Sequence, residues 1–155
     1  MSCQNCCSRR SFLGTIALGA AALSVAGTAC SGTSAGAAPA SVGDVSAGNI
    51  KDIPVGTLRA VSGLAVAIGR DAAGLYAMTL TCTHQGANMA KEGSVSASAV
   101  VCSRHQSRFD ANGAVIQGPA TEPLVHFAVD ADSSGNVTIH GDTQVSAQTR
   151  VAVAT

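Results

Sequence analysis

Aromatic residues are scarce in this chain, which has one Tyr, three Phe and no Trp. A core without large rings must be filled by Val, Ile and Leu, and the 46% hydrophobic content overstates that supply because much of it is Ala. Charged residues are also few and balance to a formal net charge of +0, with no basic run beyond Arg9-Arg10. This excludes an electrostatic nucleic-acid footprint and leaves shape and local chemistry to recognise a partner. No helical period is long enough to support a βαβ unit. Beyond His140 the sequence holds no further histidine or carboxylate cluster, so no separate catalytic centre is expected.

Cysteine is sparse where the chain is expected to fold. Of the six, Cys3, Cys6, Cys7 and Cys30 lie in the N-terminal segment, leaving Cys82 and Cys102 for the domain. An exported domain would ordinarily join such a pair as a disulfide. Two histidines at short fixed offsets argue otherwise. Cys82-Thr83-His84 is a C-x-H motif and Cys102-Ser103-Arg104-His105 a C-x-x-H motif, each pairing one thiol with one imidazole. The usual zinc pattern puts like ligands in each short motif, so the mixture narrows the metal, although two Cys and two His are also a sound tetrahedral zinc set.

The N-terminus reads as a targeting segment. Ser8-Arg9-Arg10-Ser11-Phe12-Leu13 precedes an uncharged apolar stretch from about Phe12 to Ala29, and the arginine pair resembles a twin-arginine export signal, the bacterial route for proteins that cross a membrane already folded. An ordinary secretory signal or an uncleaved anchor are plainer readings of the same stretch. Gly27-Thr28-Ala29-Cys30 resembles a lipoprotein box without its usual upstream Leu, which would lipidate Cys30; cleavage after Ala38 or Ala40 would instead release a soluble protein. The Ser-, Gly- and Ala-rich stretch behind Cys30 has tether composition. The expected location is the periplasm or the outer face of the cytoplasmic membrane, with the membrane reached through the anchor at Cys30. Nothing explains Cys3, Cys6 and Cys7.

From about Asp44 short β-rich runs alternate with turn signals. Strands are expected at residues 55–61, 64–68, 75–80 and 99–102, two more about the Ala111-Asn112-Gly113-Ala114 turn, and a hairpin of 124–129 with 136–140. The pattern is that of an all-β barrel or sandwich. Period 2 in Val125-His126-Phe127-Ala128-Val129 predicts one buried face and places His126 on the surface. Both Cys/His motifs fall at strand ends, where two loops side by side could present four ligands.

At these residues the sequence closely resembles the Rieske iron-sulfur family, over roughly Pro54 to Gly141. The resemblance rests on C-T-H-Q-G from Cys82, C-S-R-H-Q-S-R-F-D from Cys102, the turn with Gly113, Gly118-Pro119-Ala120 and Pro123-Leu124. It implies small antiparallel sheets with a two-loop cluster-binding tip and a 2Fe-2S cluster held by Cys82 and Cys102 on one iron and by His84 and His105 on the other. It further implies a Ser107 hydroxyl donating to a bridging sulfur and a Pro119 loop shielding the cluster from water. Neutral imidazoles in place of two thiolates raise the potential to within about −150 to +300 mV. The implied role is electron transfer between redox proteins, as a free carrier or as a subunit of a membrane-associated oxidoreductase, with no catalytic site of its own. Gln85, Met89, Gln106 and Pro119 would rim the docking face. The implied division is a signal segment at 1–30, a tether at 31–48, the Rieske domain at 49–142 and an extension at 143–155. The alternatives are a structural zinc module and a metal-free scaffold with a Cys82–Cys102 disulfide.

Some positions depart from the family pattern. Ala87 and Arg104 stand where respiratory members have bridged cysteines, so that disulfide cannot form. Ser103 replaces the usual proline, Gln106 the usual glycine and Phe109 a frequent tyrosine. Fewer donors to the sulfurs imply a potential below that of the respiratory members.

Overall fold

The computed structural model describes residues 43–153. Within them are ten strands: β1 (Asp44–Asn49), β2 (Thr57–Ala60), β3 (Val66–Asp71), β4 (Gly74–Thr79), β5 (Gly93–Val95), β6 (Ala99–Cys102), β7 (Arg108–Asp110), β8 (Val115–Gln117), β9 (His126–Ala131) and β10 (Asn136–Val145). They form two antiparallel sheets, a six-stranded one in the order β1-β10-β9-β4-β3-β2 and a four-stranded one in the order β5-β6-β7-β8. The chain leaves the larger sheet after β4, builds the whole smaller sheet, and returns at β9, which pairs with β4 through Ala77↔Phe127 and Met78↔His126. The expected all-β class and the β9–β10 hairpin are both present. β1 and β5 were not expected as strands.

The larger sheet lines two parts of the core, one on each face, and shares the second with the smaller sheet. Val66 and Ile68 of β3, Leu75 and Ala77 of β4, Phe127 and Val129 of β9 and Val137 and Ile139 of β10 fill one apolar cluster. Ala67, Tyr76 and Met78 project from the opposite face of β3 and β4 into a second cluster with Leu80, Cys82, Met89, Cys102, Phe109 and Leu124. β4 is therefore covered on both faces and buried at every residue, which is why its sequence is a continuous apolar run rather than an alternation.

This two-sided packing corrects the placement of His126. It is 2% exposed, not a surface residue. Alternation does turn Phe127 and Val129 to one side, but the other side faces the smaller sheet rather than water. There His126 Nε2 lies 3.0 Å from the Asn112 carbonyl, and its ring stacks beside Tyr76 at 6.1 Å. Gly113 makes the approach feasible: its φ is +79°, and a Cβ there would stand 3.0 Å from Leu124 Cβ and 3.2 Å from Met78 Sδ.

The domain limits also shift. The first strand begins at Asp44, inside the stretch expected to be tether, and pairs with β10 from Asp44↔His140 to Asn49↔Asn136. At the other end β10 runs to Val145, past the limit at 142, and Val151 forms a reciprocal pair of 2.9 Å backbone hydrogen bonds with Leu75. The signal segment, Cys30 and most of the tether lie outside the described residues. No helix among the described residues is long and apolar enough to cross a membrane.

Candidate metal centre

The two ligand loops have the same backbone construction. In the first, the Cys82 N–H donates to the Ala87 carbonyl and the Gly86 N–H returns to the Cys82 carbonyl, both at 2.8 Å. In the second, Cys102 N–H donates to Ser107 O and Gln106 N–H to Cys102 O, both at 2.9 Å. Each turn needs one residue in the left-handed region, supplied by Gly86 at φ 70° and by Gln106 at φ 63°. Local sequence thus makes a tight turn on each side, with the Cys at its base and the His at its crest.

Each loop hangs from a strand and is braced by its neighbours. β6 ends at Cys102, and Thr81 beyond β4 bridges Asn88 across the first loop. The Ser103 N–H donates to Glu92 O, and the Arg104 guanidinium pairs with the Glu92 carboxylate at 2.7 Å. The segment before β9 closes the third side. Ala120 N–H donates to Ser107 Oγ at 3.0 Å, Thr83 Oγ1 to Glu122 O at 2.7 Å, and Gln117 Nε2 to Gln106 O at 3.2 Å. The contribution of Thr83, Glu92 and Gln117 was not legible, because each partner is distant in sequence and no spacing rule connects them.

Cys82 and Cys102 are 2% and 1% exposed and are not joined in a disulfide. Burial pushes the Cys82 thiol up, the His84 N–H opposes this, the nearby Cys102 sulfur raises it again, and the Ser107 hydroxyl lowers it. The two sulfurs and that hydroxyl therefore share one apolar enclosure. The His84 and His105 rings meet edge to face with centroids 4.8 Å apart, and His84 Nδ1 is buried without a hydrogen-bond partner. An orphaned imidazole nitrogen beside two buried thiols fits a metal-sulfur group, which would satisfy all three.

Of the expected docking residues, Gln85, Gln106 and Pro119 are exposed at this end. Met89 is not: it is 0% exposed and packs beneath the loops with Cys82 and Cys102. Its neighbours in sequence are loop residues, but its backbone N–H bonds to Leu80 O and turns the side chain into the core. Ser107 is fully buried beside the thiols, and Phe109 is fully buried beneath them.

Fold and site define an all-β metal-sulfur domain, with two matched Cys/His loops at the tip of an inserted sheet. The family model of the Rieske 2Fe-2S domain matches residues 43–128, and the chain belongs to that family. It is an electron-transfer protein with a 2Fe-2S cluster held by Cys and His ligands. No curated protein matches it. Among solved structures it is similar to a chain of the complex of reduced oxygenase and oxidized ferredoxin in carbazole 1,9a-dioxygenase, at 28% identity and a TM-score of 0.49, over 66% of this chain and 97% of that one. It is also similar to the ferredoxin of carbazole 1,9a-dioxygenase from Nocardioides aromaticivorans IC177, at 26% identity and a TM-score of 0.45, over 63% of this chain and 97% of that one. A third is the plasma membrane Rieske protein PetC3 from Synechocystis PCC 6803, at 23% identity and a TM-score of 0.48, over 61% of this chain and 97% of that one.

Proposed function

We propose that Cys82 and Cys102 hold one iron and His84 and His105 the other, and that the domain carries single electrons between redox proteins without a catalytic site of its own. The observation that carries this reading is the matched pair of loops, which brings two buried thiols and two imidazoles together at one tip. When bound, the cluster supplies a one-electron couple. The chain does the rest. Its thiols lie in the apolar interior, and His105, on an exposed loop, offers the short route to a partner. The Ser107 hydroxyl accepts from Ala120 and keeps its own hydrogen for a sulfur.

The protein works outside the cytoplasm, exported already folded through the twin-arginine signal and held at the membrane by a lipid on Cys30. There it serves as a free carrier or as the electron-transfer subunit of an oxidoreductase. The charge-free stretch after Arg9-Arg10 and the tether composition behind Cys30 support this location.

Iron and acid-labile sulfide analysis with low-temperature EPR of the reduced protein tests the ligand assignment. The expected result is two irons, two sulfides and a mixed-ligand 2Fe-2S signal that Cys82→Ser and His105→Ala each abolish. An unchanged signal in either variant would overturn the assignment.

A further inference from the structure

Asparagine is followed by glycine at one place in the sequence, Asn112-Gly113; the other asparagines precede Cys, Ile, Met or Val, whose side chains crowd the following amide. A glycine leaves its nitrogen open to the preceding side chain, so an Asn-Gly pair is the one most prone to close into a succinimide. In that reaction the Gly113 nitrogen bonds to Asn112 Cγ and the Cγ–Nδ2 bond breaks, the Gly113 proton leaving with Nδ2 as ammonia. Water then adds across one of the two ring C–N bonds and leaves an aspartyl or an isoaspartyl residue. In the isoaspartyl product the main chain runs through Cγ, and the carbonyl that now meets His126 Nε2 becomes half of a carboxylate.

The folded turn holds this chemistry off. The Gly113 N–H donates to Asp110 O at 3.1 Å, which closes residues 110–113 into a β-turn. Among the described residues Gln106 is the one non-glycine with positive φ, so Asn112 has negative φ and the turn is type I, not type II. With Asn112 ψ then at about 0°, the attacking nitrogen is spent on Asp110 and is not turned toward Cγ. The side chain is held as well: Arg150 Nη2 donates to Asn112 Oδ1 at 2.7 Å, from a guanidinium fixed by Asp71 at 2.6 Å. Tyr76 Oη, His126 Nε2 and the Leu124 N–H meet the carbonyls of Ala111, Asn112 and Gly113 at 2.9, 3.0 and 2.9 Å. Those three contacts fix the main chain, whereas Arg150 reaches the amide that reacts.

We propose that Asn112-Gly113 is a latent deamidation site in the β7–β8 turn, and that Arg150, from the segment after β10, keeps it closed by holding the side-chain amide away from the Gly113 nitrogen. The reactive pair lies where the smaller sheet meets Tyr76 of β4 and His126 of β9, so the modification strikes the contact between the sheets.

Full-length holoprotein aged in warm, mildly alkaline buffer and followed by peptide mass spectrometry tests this. Deamidation adds the mass difference between an OH and an NH2, and fragmentation locates it. Arg150→Met should gain that mass at Asn112 at least about tenfold faster than the parent, the effect of losing one charged hydrogen bond that favours the closed turn. Val137→Ala is the control for general loosening, since it leaves a void in the other apolar cluster, and its rate should stay near the parent's. Equal acceleration in both variants would mean that the reaction follows global opening, and overturns the guarding role. An unchanged or slower rate in Arg150→Met overturns it too. A mass gain that survives Asn112→Gln in the Arg150→Met background, or none at Asn112 in Arg150→Met itself, overturns the site.

Discussion

Ser107 has its hydroxyl committed on one side, since Oγ accepts the Ala120 N–H while the residue is fully buried beside the Cys82 thiol. A hydrogen aimed at the sulfurs favours the more negative, reduced cluster. Ser107→Ala should therefore lower the potential by on the order of 60 mV, one net hydrogen bond of about 1.4 kcal/mol for a one-electron couple, in an EPR-monitored redox titration. Phe109 brings no hydroxyl to this enclosure, so the same titration should place the parent protein below the respiratory members, and a value near the upper end of the range of about −150 to +300 mV would refute this. His126 carries a different consequence. Burial pushes its imidazole below the usual value, the Asn112 carbonyl opposes this and the Arg150 charge adds to it. The folded state thus holds it neutral, and the unfolded chain takes up the proton first as pH falls. The stability is fully present above about 6.5 and is lost as pH drops below it. His126→Gln, which can still donate to Asn112 O, should flatten the acid side of a plot of denaturation midpoint against pH.

The element that sequence patterning understated is the segment after β10. Arg150 Nε pairs with Asp71 Oδ2 at 2.6 Å, Nη2 donates to Asn112 Oδ1 at 2.7 Å, and the guanidinium lies 4.2 Å from the Tyr76 ring centroid. Burial pushes the Asp71 carboxyl up, but Arg150 and the Ala73 and Gly74 N–H groups outweigh it and hold the carboxyl below its usual value. One side chain thereby joins the β3–β4 turn, the β7–β8 turn and the C-terminal segment. Arg150→Met should cost about 1–2 kcal/mol, read as a lower urea midpoint. At the opposite edge His140 links β1 and β9 across β10, with Nδ1 2.7 Å from Asp44 and Nε2 2.9 Å from Asp130. The hydrogen bonds to Asp44 and then Asp130 raise its pKa. Its contribution has the sign opposite to that of His126: present below about 6.5, it is lost as pH rises through the raised value. His140→Gln should remove that alkaline-side loss in low salt, and high salt should shrink it in the parent protein. Strands and ligand loops were legible because their signals are local, a period of two or a Cys and His two or three residues apart. Arg150, 79 residues from Asp71, leaves no such signal. Met89 and His126 were misplaced because a loop position and a polar residue in an alternating strand both imply water, and here a second sheet takes the water's place.

For the molecule as a whole, the tip is held differently from the base. Ala87 and Arg104 provide no covalent bridge, so the loops rely on the bound metal, an exposed Arg104–Glu92 pair and a few cross-loop hydrogen bonds. Removing iron with a chelator should speed amide exchange at residues 82–87 and 102–107 by at least about tenfold, while β9 and β10 keep their protection. Equal acceleration throughout would mean that the cluster stabilises the entire fold. The continuity of the chain through the tip has a further effect. The inserted sheet departs from β4 and returns in β9, and those two strands are hydrogen-bonded neighbours. Topologically it is a cassette whose ends are already together, and the entropy of closing such a loop grows only with the logarithm of its length, about 0.6 kcal/mol for each doubling. Residues can therefore be added to or removed from the cassette at little cost to the six-stranded base, which makes the tip the natural place for electron-transfer specificity to be re-engineered on an unchanged scaffold.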